Sequence, residues 1–202
     1  MMRPGSSPTC SPGSTERAGR DVVTAPTPDA FRAAMSQFAS GVTVASTVLD
    51  GIDHAMTASA FTSVSLDPPL VLVCVEKSTR FHHAITMTRR WGVSVLGHEQ
   101  VDVARWLATR GRPLAGQLDG VPHRRGERTG VALVEDALCW VECRTWQSCA
   151  GGDHTIVVGE VLGLDVHREA SLPLLYFRGG FTDLIAPEAT TPSVVRAARP
   201  AG

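Results

Sequence analysis

Residues 41–59 read GVTVASTVLDGIDHAMTAS, two strand-length segments that meet at Asp50-Gly51. Both positions of that dipeptide tolerate positive φ, so the stretch predicts a tight antiparallel hairpin. Strand patterning then recurs along the chain. Residues 70–75 (LVLVCV) are apolar at every position, which predicts a strand covered on both faces. Residues 91–96 form another strand pattern, and residues 138–146 and 155–166 a further pair joined by a Gly-rich loop. Many antiparallel strands with two or three short helices imply a mainly β fold, a closed or nearly closed barrel with helices packed outside.

Three helices are expected. Thr27 can cap the first, Pro28 suits its first position, and Asp29 adds negative charge to the first turn. Phe31, Ala34, Met35, Phe38 and Ala39 then give one apolar face, ended by Gly41. A second helix starts near Ser78 or Thr79, with Phe81, Ala84, Ile85 and Thr88 on one face, and a third covers about residues 99–109.

Composition bounds the function classes. At 202 residues and 43% hydrophobic content the chain can bury one sizeable core, so one domain is expected. Residues 1–26 and 186–202 are polar and unpatterned and are expected to be disordered tails around a domain at 27–185. A net charge of −1 argues against nucleic acid or an anionic membrane as the main partner. The longest clean apolar run is strand-sized, so no membrane span is expected, and the first residues contain no hydrophobic secretory segment. Five cysteines in no metal-binding or paired spacing point to reduced thiols and a cytoplasmic setting.

Two stretches suggest chemistry. Thr57, Ser59, Thr62, Ser63 and Ser65 place five hydroxyls within nine residues, ahead of Pro68-Pro69. Such density can hold a phosphate or the polar rim of a flat heterocycle, although a plain Ser/Thr-rich strand has the same composition. In CAGGDHTIVVGEV, residues 149–161, two glycines deliver Asp153 and His154 to the mouth of a strand. A histidine there is structural or chemical, and local sequence alone leaves both open.

The segments GVTVAST, HAMTASAFTSVSLDPPLVLVCV, WGVSVL, GGDHTIVVGEV and LPLLYFRGGF resemble, in order and spacing, the short-chain flavin reductase family. The resemblance covers about residues 31–184. It implies the FMN-binding split β-barrel, Greek-key-like and usually homodimeric, in which NADH or NADPH reduces FMN or FAD, commonly for a separate monooxygenase. Carried over by position, Thr57, Ala58, Ser59, Ala60, Ser63, Val64 and Ser65 would contact the flavin. Cys74 and Val75 would lie along the isoalloxazine edge, and Ser78, Thr79 and Arg80 would meet its phosphate. Hydroxyls, an Arg and unpaired helix N–H groups do make a good anion site. His154 would offer a donor to the nicotinamide, and Tyr176 would flank the same place or pack in the core. Ser94, Ala60 and Phe181 depart from the family's usual Asn, Ser and Tyr.

Weaker features remain. Arg110, Arg112, Arg124, Arg125 and Arg128 form either a solvated basic loop or a contact to nucleotide phosphate. His82 and His83 point in different directions on a helix, so no metal site is expected, and Cys139, Cys143 and Cys149 are assigned no redox role. The function implied is an NAD(P)H-dependent flavin reductase. The alternatives are a flavoprotein that retains its flavin for direct oxidation or a biosynthetic step, and a non-catalytic flavin-binding subunit.

Overall fold

The computed structural model of the chain describes residues 24–167 and 171–184. The expected tails, at 1–26 and 186–202, lie almost wholly outside them. The elements in chain order are α1 (Pro28–Met35), β1 (Ser40–Gly41), β2 (Thr43–Leu49), β3 (Ile52–Ala58), β4 (Phe61–Leu66) and β5 (Pro69–Glu76). Next come α2 (Arg80–Thr88), β6 (Arg90–Val95), α3 (Val101–Ala108), β7 (His123–Arg125) and β8 (Ala132–Val134). The last are β9 (Cys139–Gly151), β10 (His154–Val166), β11 (Leu175–Phe177) and β12 (Gly180–Thr182).

Seven strands make one antiparallel sheet in the order β3-β2-β6-β9-β10-β5-β4. Its two end strands, β3 and β4, do not pair with each other, so hydrogen bonds leave the sheet open. The sheet nevertheless curls around one core. Ala45, Ala58, Val73, Val75, Trp91, Val93, Cys143 and Val157 meet there, and Phe61 of β4 packs against them. Phe81 and Ile85 of α2 join this cluster and stop the mouth of the curl. A second cluster on the outer face joins Val44 and Ala55 to Ala104 and Leu107 of α3 and to Ala132 and Val134 of β8. Ser94 is buried and accepts a hydrogen bond from the Val134 backbone N–H at 2.9 Å, so it pins β8 to the large sheet.

Asp50 and Gly51 adopt φ of 53° and 77°, the primed turn the dipeptide favours, and β2 and β3 pair from Leu49–Ile52 to Thr43–Ala58. Two expectations need correction. Helix α1 has its Thr27 cap, with Ala30 N–H donating to Oγ1 at 3.2 Å, but it ends at Met35, well before Gly41. The Ser36 hydroxyl donates to the Ala33 carbonyl at 2.8 Å and competes with the helical ladder there. None of its residues is buried within the chain, and Phe38 beyond it is 71% exposed, so further turns would gain no packing. Strand β5 is covered on one face only: Val71, Val73 and Val75 are buried, while Leu70, Leu72 and Cys74 on the other face are half-buried. A continuous apolar run does not distinguish these cases.

The open edge at β3 is sealed by side chains. Gln117 Nε2 donates to the Asp53 carbonyl at 2.5 Å, and the Arg112 guanidinium donates to the Ala55 carbonyl. Arg125 forks onto the Asp53 carboxylate at 2.5 and 2.7 Å. These bonds occupy acceptors that would otherwise template another strand. They also hold residues 109–117 across β3, and that arrangement builds the site.

Candidate functional site

A cavity of about 450 Å³ lies between β3, the turn from β5 into α2, the end of α3 and residues 109–117. Of the residues assigned from sequence, it gathers Thr57, Ser78, Thr79 and Arg80. Strand β3 turns the Asp53 and Ala55 carbonyls outward, and the two-residue period turns the Thr57 backbone the same way, into the cavity. The Thr57 hydroxyl itself donates to the Ala104 carbonyl at 2.7 Å and locks α3 onto β3.

Thr79 caps α2. Its hydroxyl accepts from His82 N–H at 3.2 Å and donates to the Glu76 carbonyl at 2.8 Å. Ser78 Oγ donates to Glu76 Oε1 at 2.6 Å, and Arg80 donates to the Arg112 carbonyl at 2.7 Å. Arg110 and Arg112 join the lining from residues 109–117, so three arginines and one carboxylate, Glu76, share the cavity, and Arg110 donates to that carboxylate at 2.9 Å. Burial, and after it the charge of Arg80, pulls Arg112 below the usual guanidinium range. Its Nε is buried without a hydrogen-bond partner. Like charges gathered around an unpaired buried donor suit an anion of the size and charge of a phosphate or diphosphate.

Sequence reasoning missed Glu76, His54 and Gln117, because chain-distant elements bring them together. His54 is buried at the cavity wall, and burial followed by the Arg80 charge holds its imidazole below the ordinary value of 6.5. Asp53 opposes that shift and His83 adds to it. The fold therefore favours neutral His54, while the unfolded chain takes up a proton at the ordinary pKa. Stability should be fully present above about pH 6.5 and fall as the pH drops below it, until His54 protonates in the fold. Urea midpoints from pH 8 to pH 5 should fall less steeply for His54→Gln than for the parent. Identical slopes would assign the loss to other groups.

The remaining assigned residues lie outside the cavity lining. Ala58 is buried at the end of β3, and Ser59 and Ala60 form the exposed step into β4. Ser63, Val64 and Ser65 lie on the edge strand β4, whose register slips between Ser63 and Ser65. Val75 directs its side chain into the core, and Cys74 is half-buried, with burial raising its thiol pKa. Tyr176 sits on the separate β1-β11-β12 sheet, its ring edge-on to Phe181 at 5.6 Å.

His154 begins β10, opposite Glu76 of β5. The turn before it has only two residues, and Gly152 takes the positive φ of 72° that it requires. The hairpin end is tied to the cavity turn: Lys77 Nζ donates to the Gly152 carbonyl at 2.6 Å, and Lys77 N–H to the Asp153 carbonyl at 2.9 Å. His82 bonds Thr155 at 2.8 Å from the other side. His154 is thus held beside the cavity turn without lining the cavity. Its Nδ1 lies 2.8 Å from Asp153 Oδ1, and that hydrogen bond is the main cause holding the Asp153 carboxyl below its usual range. An ionised carboxylate only accepts, so Nδ1 carries the proton, which leaves Nε2 as the acceptor in the neutral ring. It donates only as imidazolium.

The arginine cluster divides. Arg110 and Arg112 line the cavity, whereas Arg125 is paired with Asp53 and Arg124 stacks 4.7 Å over the Trp140 ring. Arg124 and Arg128 line a smaller cavity of about 180 Å³ with Glu142. Cys143 is fully buried, and burial with the Glu142 charge pushes its thiol up to about 12. No cluster with metal-binding geometry occurs among the described residues, and no helix among them is long and apolar enough to cross a membrane.

Comparison with known proteins bears on this geometry. The family model described as flavin reductase like domain matches residues 35–184. The NADH:riboflavin 5'-phosphate oxidoreductase of Streptomyces pristinaespiralis is 39% identical over 169 residues, spanning 83% of this chain and 92% of that protein. HsaB of Mycobacterium tuberculosis, the reductase subunit of a flavin-dependent monooxygenase, is 36% identical, spanning 82% of this chain and 87% of that protein. Among solved structures, BorF, the flavin reductase component of a bacterial two-component tryptophan halogenase, superposes with a TM-score of 0.74 at 43% identity. That match covers 78% of this chain and 98% of BorF.

Proposed function

This chain belongs to the flavin reductase-like domain family, and we propose that it reduces FMN or FAD with NADH and supplies the reduced flavin to a separate monooxygenase. The observation that carries the site assignment is the cavity in which Ser78 and Arg80 face Arg110 and Arg112, with the Arg112 Nε unpaired. Those groups fit a flavin phosphate: two or more charge-assisted donors converge at the N-terminus of α2. The outward Thr57 backbone suits the polar rim of the ring system.

When bound, the flavin supplies the redox chemistry, accepting hydride from the nicotinamide. The chain's part is to bind, orient and exclude water. Asp153 fixes the His154 ring and its tautomer, and Lys77 fixes the hairpin that carries it, which together present Nε2 to the carboxamide N–H of a nicotinamide.

We read the working form as a homodimer. Phe31, Met35 and Phe38 on and after α1, and Val64 and Leu66 on β4, are between 49% and 95% exposed, apolar side chains that a second copy would cover. A single species of monomer mass in sedimentation at micromolar concentration would end that reading. A reducing, cytoplasmic setting belongs to the same proposal, supported by four cysteines among the described residues that no disulfide joins.

Anaerobic mixing of the protein with excess FMN or FAD, followed by NADH or NADPH, tests the function. Bleaching of the flavin over many turnovers is the expected result. A single slow turnover would favour the flavoprotein that keeps its flavin, and none would leave a binding module.

A further inference from the structure

We propose that Glu76 is a specificity-determining residue: its carboxylate stands in the anion subsite of the free protein and sets how tightly a phosphate-bearing ligand is held. The inference rests on the flavin reading above for the ligand's identity, and on the structure alone for the competition.

Glu76 is the one carboxylate among the residues lining the cavity, against Arg80, Arg110 and Arg112. Both its oxygens engage groups that a phosphate would use. Ser78 Oγ donates to Oε1 at 2.6 Å, and Arg110 donates to Oε2 at 2.9 Å. Carboxylate and phosphate oxygens are alike acceptors only, so they compete for the same donors. The Glu76 main chain is fixed, because its carbonyl accepts from both the Thr79 N–H and hydroxyl, and its Cα is in register with His154. The side chains are free to rearrange: the ion pair has Arg110 85% and Glu76 31% exposed, and such a pair is held weakly. An incoming phosphate takes Ser78 Oγ and Arg110, turns the Glu76 carboxylate aside and still feels its charge at short range. The subsite therefore holds a phosphate less tightly than its three guanidinium groups alone would, which suits a flavin that must leave after reduction.

The test compares the parent with Glu76→Gln and Glu76→Ala by calorimetric titration with inorganic pyrophosphate, FMN and riboflavin. Removing the charge should tighten pyrophosphate and FMN about tenfold, because one short-range repulsion and one competing ion pair are lost. Riboflavin, which lacks the phosphate, should move by no more than about twofold. Unchanged or weaker pyrophosphate binding in both variants would overturn the proposal and make Glu76 a prop for Ser78 and Arg110. Riboflavin tightening as much as FMN, or pyrophosphate binding to none of the three proteins, would overturn it equally. If pyrophosphate tightens while the parent binds no flavin, the flavin reading fails and the competitor role of Glu76 stands.

Discussion

Truncating His154 to Ala will slow reduction of flavin by NADH, or weaken apparent nicotinamide affinity, by about 5- to 150-fold. That range corresponds to the loss of one hydrogen bond of about 1–3 kcal/mol to a nicotinamide that covers the ring when bound. The expectation follows from position. His154 lies outside the cavity that gathers Ser78, Arg80, Arg110 and Arg112, so flavin affinity should change by only about threefold or less. The fold should survive, because the side chain is 41% exposed and its hydrogen bond goes to the exposed Asp153 carboxylate. His154→Asn, with both an amide carbonyl and an amide N–H, should recover part of the rate. Asp153→Asn should cost less than His154→Ala, since it removes the charge that fixes the tautomer and leaves the ring. An Ala variant that binds no flavin, or that reduces flavin at the parent rate, would make His154 a structural strand-end residue.

The largest effect on stability is expected at Gly159. A Cβ built there would collide with the Trp91 ring, and would stand 3.0 Å from the Cys143 Cβ. Trp91 is fully buried in the inner core, where no empty direction is open to it. Gly159→Ala should therefore cost about 2–3 kcal/mol, a fall in Tm of about 4–12 °C for a chain of this size. The smaller ring of Trp91→Phe should restore part of the loss in the double variant, with a coupling energy of about 1 kcal/mol or more. Simple additivity of the two changes in urea denaturation would refute the steric account. The consequence for the site is indirect: Gly159 lets β10 lie against β5 over Trp91, and these are the two strands that place His154 beside Glu76.

The strands were legible because alternation and turn chemistry are local. Asp50-Gly51 fixes its hairpin wherever the hairpin lies, and Thr27 and Thr79 mark their helix starts through bonds three residues long. Coverage was less legible. The run at 70–75 is equally apolar on both faces, yet only Val71, Val73 and Val75 are buried, and the apolar face of α1 leaves none of its residues buried. The same division holds at the site. Ser78, Thr79 and Arg80 are contiguous, so one turn delivers them together. Arg112, Gln117, His54 and Glu76 meet only because residues 109–117 cross the β3 edge, and nothing local encodes that crossing. The arginines showed as a cluster in sequence, but antiparallel excursions sent Arg110 and Arg112 to one cavity and Arg124 and Arg128 to another.

Lys77 is the chain's single lysine, and its ammonium bridges the cavity turn to the carbonyl of Gly152. An amine-selective acylating reagent therefore meets one lysine in the whole sequence, at the tie between the cavity turn and the His154 hairpin. Acylation removes the charge and all but one of the donors, so the modified molecule loses the charge-assisted tie. The rate of a single mass increment thus counts how often the exposed Lys77 side chain leaves the hairpin that carries His154. A flavin and nicotinamide seated over that tie should lengthen its reaction time, giving a readout of site occupancy that needs neither colour nor turnover.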